Sequence, residues 1–468
     1  MINPKLKNLS ALLILITTSV VTSTQAATTQ QDKQTGLSLK NFIEQATLND
    51  TRFETILIDQ LQLRYRRDLL LPDSDVIMDI KYQHNFYLDQ NRSNPQASVS
   101  LSKLFPYNGT ELSLSYGKSS SILSTSEDSG LQFLISQPIA NNAFGKATRL
   151  QDKIIGIEND ISRYQIIEAY EDYLASLTAI YYDWFSAYEN LKVGESSYRS
   201  NQKLMKNILD RQRQNIALPV DVNKMRLLLI DKQENIIILQ EIYDNYTTLI
   251  DQSIDNKDNT IYMPVKPEPP VKDISFKQDY ANFVNNSRTY SILNKLERQS
   301  NLEVEIIADD LLPSTNLLIG YELEGQDWTI KRKEDNLFAG ISLSWPIGRS
   351  VSKAKKEIAQ IEYSKTKLSN QNKYDELHTN LENLHRQIER EEKLIAIAVK
   401  KIDLAKAVLK DEAENYSFGK VTLNDYISAV NRVDVNQFSY TDHNVQLNKL
   451  LIEWLRLTDL LVDEKVLR

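Results

Sequence analysis

Asn336-Leu337-Phe338-Ala339-Gly340-Ile341-Ser342-Leu343-Ser344-Trp345-Pro346 is the stretch whose reading decides the fold. Leu337, Ala339, Ile341 and Leu343 recur with period 2, the spacing that puts side chains on one face of a strand. Pro346 has no N–H to give a ladder and stops the strand. No proline follows it up to Arg468. That predicts a helix far longer than a globular core needs. The unit is written twice: Gly130-Leu131-Gln132-Phe133-Leu134-Ile135-Ser136-Gln137 runs into Pro138, and the next proline is Pro219.

The two copies align. Pro138 and Pro346 lie 208 residues apart, and that offset superposes Leu131 on Ala339, Phe133 on Ile341 and Ile135 on Leu343. Asp221 and Asp425, after each long helix, lie 204 apart, whereas the earlier Pro72 and Pro313 lie 241 apart. The first copy therefore carries about 33 extra residues before its final strand, the size of one hairpin and a loop.

Composition supports few, long elements. Glycine and proline number 12 each in 468 residues, with 25% charged and 41% hydrophobic residues. The formal net charge is -8, and there is no basic block to attract nucleic acid. The absence of cysteine excludes disulfides, thiol catalysis, thiolate metal sites and a lipidated N-terminal cysteine. Residues 1–26 are expected to be a signal peptide: Lys5 and Lys7, a short apolar run Leu9–Val21, and Thr24-Gln25-Ala26 before a cleavage point. The run is too short for a spanning helix.

The first repeat is expected over 37–254 and the second over 276–463, with a Pro-rich linker at 255–275 that holds Pro264, Pro267, Pro269 and Pro270. The first repeat opens with helices over Gly36–Leu71, with Asp50 or Thr51 as an N-cap. Its strands fall within 76–137: Val76–Gln83, Ser98–Leu104, Thr110–Lys118 and the run before Pro138. The turn at Phe105–Gly109 is short, and Ser119–Ser129 reads as a polar loop. Helices are expected over 146–213 and 222–254. In the first of these Ile166, Tyr170, Tyr173, Leu177, Ile180, Trp184, Tyr188 and Leu191 form a coiled-coil seam. The second repeat has helices over Phe276–Leu312, strands within 317–345 around a polar loop Glu324–Asn336, and helices over 352–417 and 425–461.

A helix of about 65 residues is roughly 100 Å long at 1.5 Å per residue and needs partners for its seam. The strands are stricter. In lipid only closed barrels are allowed, and four core strands cannot close one. Two chains would give eight strands filled by side chains; three would give twelve around an aqueous lumen. Asp79, Lys81, Gln83 and Glu322, on the faces opposite the apolar positions, suit a lumen. A soluble sandwich capped by helices, or a structural coiled coil, is the alternative. The repeat order favours a membrane barrel on a helical stalk.

At this point the sequence resembles the TolC-type outer-membrane efflux family over residues 37–463. The Leu-Pro before each repeat's first strand, Gln137-Pro138-Ile139, Trp345-Pro346-Ile347, and the tip Tyr416-Ser417-Phe418-Gly419-Lys420-Val421-Thr422-Leu423-Asn424-Asp425-Tyr426 carry the resemblance. It implies an α+β membrane protein: a homotrimer with a twelve-stranded outer-membrane β-barrel, four core strands per chain, continued by a twelve-helix coiled-coil periplasmic barrel. It also implies a passive exit duct of a tripartite efflux or type I secretion system, with a periplasmic adaptor and an inner-membrane pump as partners. The extra hairpin is expected at the barrel's rim or its equatorial end, because six strands per chain would make eighteen per trimer, too wide to match a twelve-helix tunnel without a step, and because its runs of 7 and 9 residues stand against the about 9–11 of a spanning strand.

The resemblance further implies that the helix tips dock the adaptor and close the tunnel. The tip residues are Asn215, Ile216 and Ala217 in the first copy and Gly419, Lys420, Val421 and Thr422 in the second. Gly419 matches the family's tip glycine; Asn215 replaces it in the first copy and tolerates a left-handed turn. Asp425, Asp221 and Tyr416 match constriction residues. Val421 stands where the family has an arginine and Ser428 where it has a second aspartate, so a single acidic ring at Asp425 is the expected constriction. Asp221 and Asp425 also read as N-caps of the return helices, and Tyr416 as packing.

No enzyme, cofactor or metal site is expected. His378, Glu382 and His385 share a helix face without a further ligand nearby. Ser352-Lys353-Ala354-Lys355 lacks the companion motifs of a serine–lysine enzyme, and Gly145-Lys146 lacks the first glycine of a phosphate loop. A periplasmic coiled-coil interaction protein without a pore is the second functional reading.

Overall fold

A computed structural model describes residues 35–87, 92–120, 127–258, 260–271, 274–326 and 329–462. The expected signal peptide lies outside these residues. The chain forms two compact units, each drawing on both halves of the sequence: residues up to Ile58 with Gln165–Arg288 and Asp375 onward, and Asp59–Tyr164 with Thr289–Tyr374.

The second unit is built on one antiparallel sheet. Its strands are β2 (Val76–Tyr87), β3 (Arg92–Phe105), β4 (Thr110–Ser120), β5 (Glu127–Pro138), β7 (Ser314–Gln326) and β8 (Thr329–Ser344), neighbours in that order. The structure departs from three expectations. The hairpin β3–β4 does not sit at the rim of a four-stranded sheet; it lies inside a six-stranded one, between β2 and β5. Its strands are 14 and 11 residues long, because pairing continues past the alternating run into polar residues such as Gln96, opposite Gln83. Most of Glu324–Asn336 is likewise strand rather than loop, with Leu323 opposite Asp335 and Glu324 opposite Glu334. Ser119–Ser129 shrinks in the same way, with Ser119 and Ser120 paired to Asp128 and Glu127.

The short turn of this hairpin is fastened to the junction between β5 and α4 (Lys146–Arg213). Gln137 Nε2 donates to Asn108 O (2.9 Å), and Arg149 Nη1 donates to Tyr107 O (2.7 Å). Gly145, at φ 75°, passes so close that a Cβ there would fall on the Tyr107 carbonyl. Asn142 and Phe144 are also left-handed. Asn142 Oδ1 accepts from Ala147 N (2.9 Å) and so starts α4. In the same unit, Leu150, Ile154, Ile157 and Ile161 of α4 recur at helical spacing and pack on Leu302 of α7 (Arg288–Asp309). Arg67 of α3 (Arg66–Leu70) pairs with Asp152 (2.6 Å), and Lys295 with Asp160 (2.6 Å).

The first unit is helical. Tyr170, Tyr173, Leu174, Leu177, Tyr181 and Trp184 of α4 form a core with Phe42 and Ala46 of α1 (Leu39–Asn49) and Ile250 and Ile254 of α5 (Pro219–Ile254). Asp50 opens α2 (Thr51–Gln62) by accepting from Arg52 N (2.9 Å). Part of the proline-rich segment is not loose: β6 (Tyr262–Pro264) pairs in parallel with β1 (Thr35–Leu37). Tyr181, fully buried, accepts from Val265 N (3.0 Å) and lies 2.7 Å from Leu37 O. The helical stretch after this segment is broken at Ser287 into α6 (Phe276–Asn286) and α7.

Two polar knots tie the helices of this unit. Asp434 of α9 (Leu423–Leu457) receives Lys232 of α5 (2.7 Å) and the Ser197 hydroxyl of α4. Glu171, Arg288 and Asp459 form a buried charge cluster, with Arg288 N donating to Asp459 (2.8 Å) and Val462 N to Glu171 (3.0 Å). Burial pushes the Glu171 carboxyl up to about 6 against the pull of Arg288.

Candidate functional site

The sheet has two chemically distinct faces. Met78, Leu101, Leu114, Phe133, Tyr321 and Leu337 are successive partners across all six strands. Because side chains alternate along each strand, this row and its parallel rows define one face: Val76, Ile80, Val99, Leu112, Leu131, Ile135, Ile319, Ile341. It is apolar and open: Leu337 is 75% exposed and Ile80 70%. One residue along, Asp79, Ser100, Ser115, Gln132, Glu322 and Asn336 are successive partners on the other face. Asp79, Lys81, Gln83 and Glu322 all fall on it. Toward the helical end this face also carries Ile77, Leu134 and Phe338, whose ring covers Gly320.

At the helical end, long cationic side chains meet aromatic rings. Lys103 Nζ lies 5.4 Å from the Phe105 ring centroid and the Arg349 guanidinium 4.5 Å from that of Trp345. Such pairs suit a membrane–water border, where an apolar body and a charged tip are both accommodated. No helix among the described residues is long and apolar enough to cross a membrane.

The helix tips lie in the helical unit. Each long helix ends in the same way. Ile216 N donates to Arg211 O (2.8 Å) and Asn215 turns at φ 58°; Lys420 N donates to Asn415 O (2.9 Å) and Gly419 turns at φ 70°. These are matching C-terminal caps with one left-handed residue. Asparagine does at the first tip what glycine does at the second. The return helices then start on aspartates. Asp425 accepts from Thr422 N (3.0 Å) and from its hydroxyl (2.6 Å), while Asp425 N donates to Thr422 Oγ1 (3.3 Å), a reciprocal capping box. The two hydrogen bonds from Thr422 hold the Asp425 carboxyl below its ordinary value. Asp221 accepts from Leu218 N (3.2 Å), but Leu218 has no hydroxyl to reciprocate.

The tips join through an apolar knot of Leu204, Ile208, Ala217, Val222, Met225 and Leu423, against which Tyr416 and Tyr426 pack. Ala217 is thus turned into the core, away from the surface expected for docking. Asn215, Ile216, Gly419, Lys420 and Thr422 are exposed and Val421 half-buried; Leu218, Val220 and Phe418 add exposed apolar surface that sequence reasoning passed over. The sequence also passed over Arg211. Its guanidinium stands 5.0 Å from the Tyr416 ring centroid, and its Nη1 donates to Ser417 O (3.1 Å). Burial raises the Tyr416 hydroxyl's pKa, with Arg211 lowering it and Asp221 raising it. Asp221, Arg211 and Tyr416 therefore share one electrostatic neighbourhood. Asp425 takes part in its own cap.

The remaining candidates have other partners. His378 and His385 stand with their rings 5.9 Å and 5.6 Å from Phe276, and Glu382 pairs with Arg386 (3.5 Å). Lys146 pairs with Asp309 (3.3 Å). Among the described residues no group of His, Asp and Glu could hold a metal ion.

No family model and no curated protein matches the chain in sequence. Solved structures do match in fold. The outer membrane protein VceC of Vibrio cholerae aligns with a TM-score of 0.70 at 11% identity, covering 90% of this chain and 95% of its own. The CmeC outer membrane channel of Campylobacter jejuni aligns at 0.67 and 13%, covering 94% of both chains. The open state of the MtrE outer membrane channel of Neisseria gonorrhoeae aligns at 0.63 and 12%, covering 90% and 88%. Set beside the two-faced sheet and the paired helix tips, these likenesses show that the chain has the fold of the TolC-type outer-membrane efflux channels.

Proposed function

We propose that this protein is an outer-membrane channel-tunnel, the passive exit duct of a tripartite efflux or type I secretion system. Three copies close the sheets into a barrel whose apolar face meets lipid. The long helices continue it as a periplasmic tunnel that meets an adaptor and an inner-membrane pump. The observation that carries this reading is the unbroken apolar row from Met78 to Leu337 over a polar row from Asp79 to Asn336. A water-soluble sheet would cover that row with a second layer; a barrel wall leaves it to lipid. The helices agree. Ile358, Ile361 and Leu368 of α8 (Ser350–Ser417) are exposed at coiled-coil spacing, as are Leu227, Ile230 and Ile237 of α5. Such seams call for neighbouring copies.

In this reading the tips form the gate. Asp425, repeated by threefold symmetry, makes an acidic ring while capping α9. Arg211 on Tyr416 holds the two tips of each copy together, in place of the arginine that Val421 displaces. Fractionation tests the reading. The full-length protein should sediment with the outer membrane and migrate as a heat-modifiable trimer. A soluble monomer would overturn it and leave the pore-free coiled coil.

A further inference from the structure

We infer that the hairpin β3–β4 is part of the barrel wall, so that β2 and β8 are the surfaces on which one copy meets the next and three copies enclose eighteen strands. The inference rests on the duct reading above. Pairing is continuous through the hairpin, from Val76 opposite Lys103 to Tyr87 opposite Arg92, and again from Glu111 opposite Ser136 to Ser120 opposite Glu127. Its faces are in phase with the rest. Val99, Leu101, Leu112 and Leu114 continue the apolar face; Ser98, Ser100, Ser102, Ser113 and Ser115 continue the polar one. At 14 and 11 residues its strands reach the length a tilted spanning strand needs.

The partner at each edge is a second copy of this chain. With six antiparallel strands, β2 leaves the helical end and β8 returns to it. The β8 edge of one copy therefore meets the β2 edge of the next antiparallel, a head-to-tail contact that closes into a ring. Both edge strands alternate in the same sense, Val76, Met78, Ile80 and Tyr82 against Leu337, Ala339, Ile341 and Leu343. Neither outer edge has a strand partner among the described residues, and an open edge is not tolerated in lipid.

Eighteen strands spaced about 4.8 Å and tilted about 40° enclose a backbone diameter of about 36 Å, against about 24 Å for twelve. The membrane segment is then no bottleneck. Its serine-rich face admits hydrated cargo wider than a twelve-stranded wall would pass, and selection by size falls to the tips. The left-handed turns of Asn142, Phe144 and Gly145 and of Gly348 and Arg349 stand between the strands and the long helices that follow them.

The chain has no cysteine, so single introduced thiols report their own surroundings. Full-length Ser100→Cys, Ser115→Cys, Leu101→Cys and Leu114→Cys proteins in outer-membrane vesicles are treated with a charged, membrane-impermeant maleimide. Gln132→Cys and Phe133→Cys on β5 serve as controls. The expected result is labelling at least tenfold faster at 100, 115 and 132 than at 101, 114 and 133. Equal labelling of both hairpin faces, with alternation kept on β5, would overturn the inference and leave the duct standing. Loss of alternation on β5 as well would overturn both.

Discussion

At the scale of single residues, the helical unit depends on a few buried polar groups whose partners come from distant parts of the chain. Asp434 accepts from Lys232, and both are largely buried. Removing one member of such a pair leaves the other charge without compensation, at a cost of about 3–5 kcal/mol. Asp434→Ala should therefore lower the thermal midpoint of the helical signal sharply, and adding Lys232→Met should restore most of it. Glu171 gives a pH signature. Its carboxyl is raised to about 6 by burial, so the folded state holds its proton more tightly than the unfolded chain does. That contribution to stability is complete below its ordinary value near 4.5 and is lost as pH rises through about 6. Thermal unfolding of the purified protein should move upward as pH falls from 7.5 to 5, and Glu171→Gln should flatten the rise. Neither knot is legible in the sequence: Asp434 and Glu171 look like ordinary helix-surface acids until the helices are packed.

The elements show where hydrophobic pattern stops being a guide. The alternation that marks β3 ends at Ser98 because the strand runs on into Gln96 and Pro95, a stretch without an apolar face. Backbone pairing does not need that face, so β3 reaches Arg92. The polar run 324–336 fails as a loop for the same reason. By contrast, the strand–proline junctions at Pro138 and Pro346 were readable, because a missing N–H and a change of period coincide there. Gly145 is a position whose role only the structure shows. It is left-handed and lies against the Tyr107 carbonyl, clamping the hairpin turn to the start of α4. Gly145→Ala should cost about 2–4 kcal/mol from backbone strain and collision. The yield of assembled, heat-modifiable protein measures this, with Gly156→Ala as a control that should not lower it, because a Cβ there meets nothing and alanine suits a helix interior.

For the whole molecule, the repeated plan of helices, strands and a long helical hairpin was written in the spacing of a few prolines and aspartates. The number of strands was not, since it depends on pairing between segments that carry no apolar signal. The tips were half legible. Asn215 and Gly419 announce their turns, whereas Arg211, in the last turn of α4, reads as a simple partner of the helix dipole. Its reach to Tyr416 and Ser417 is a tertiary fact. The proposed function requires copies of this chain to enclose a water-filled path across the outer membrane. Single-channel recording of the purified full-length protein in planar bilayers tests it most directly. Discrete, uniform conductance steps are expected, blocked by multivalent cations from the tip side, with a larger step and weaker block for Asp425→Ala. A bilayer that stays silent with properly assembled protein would contradict it.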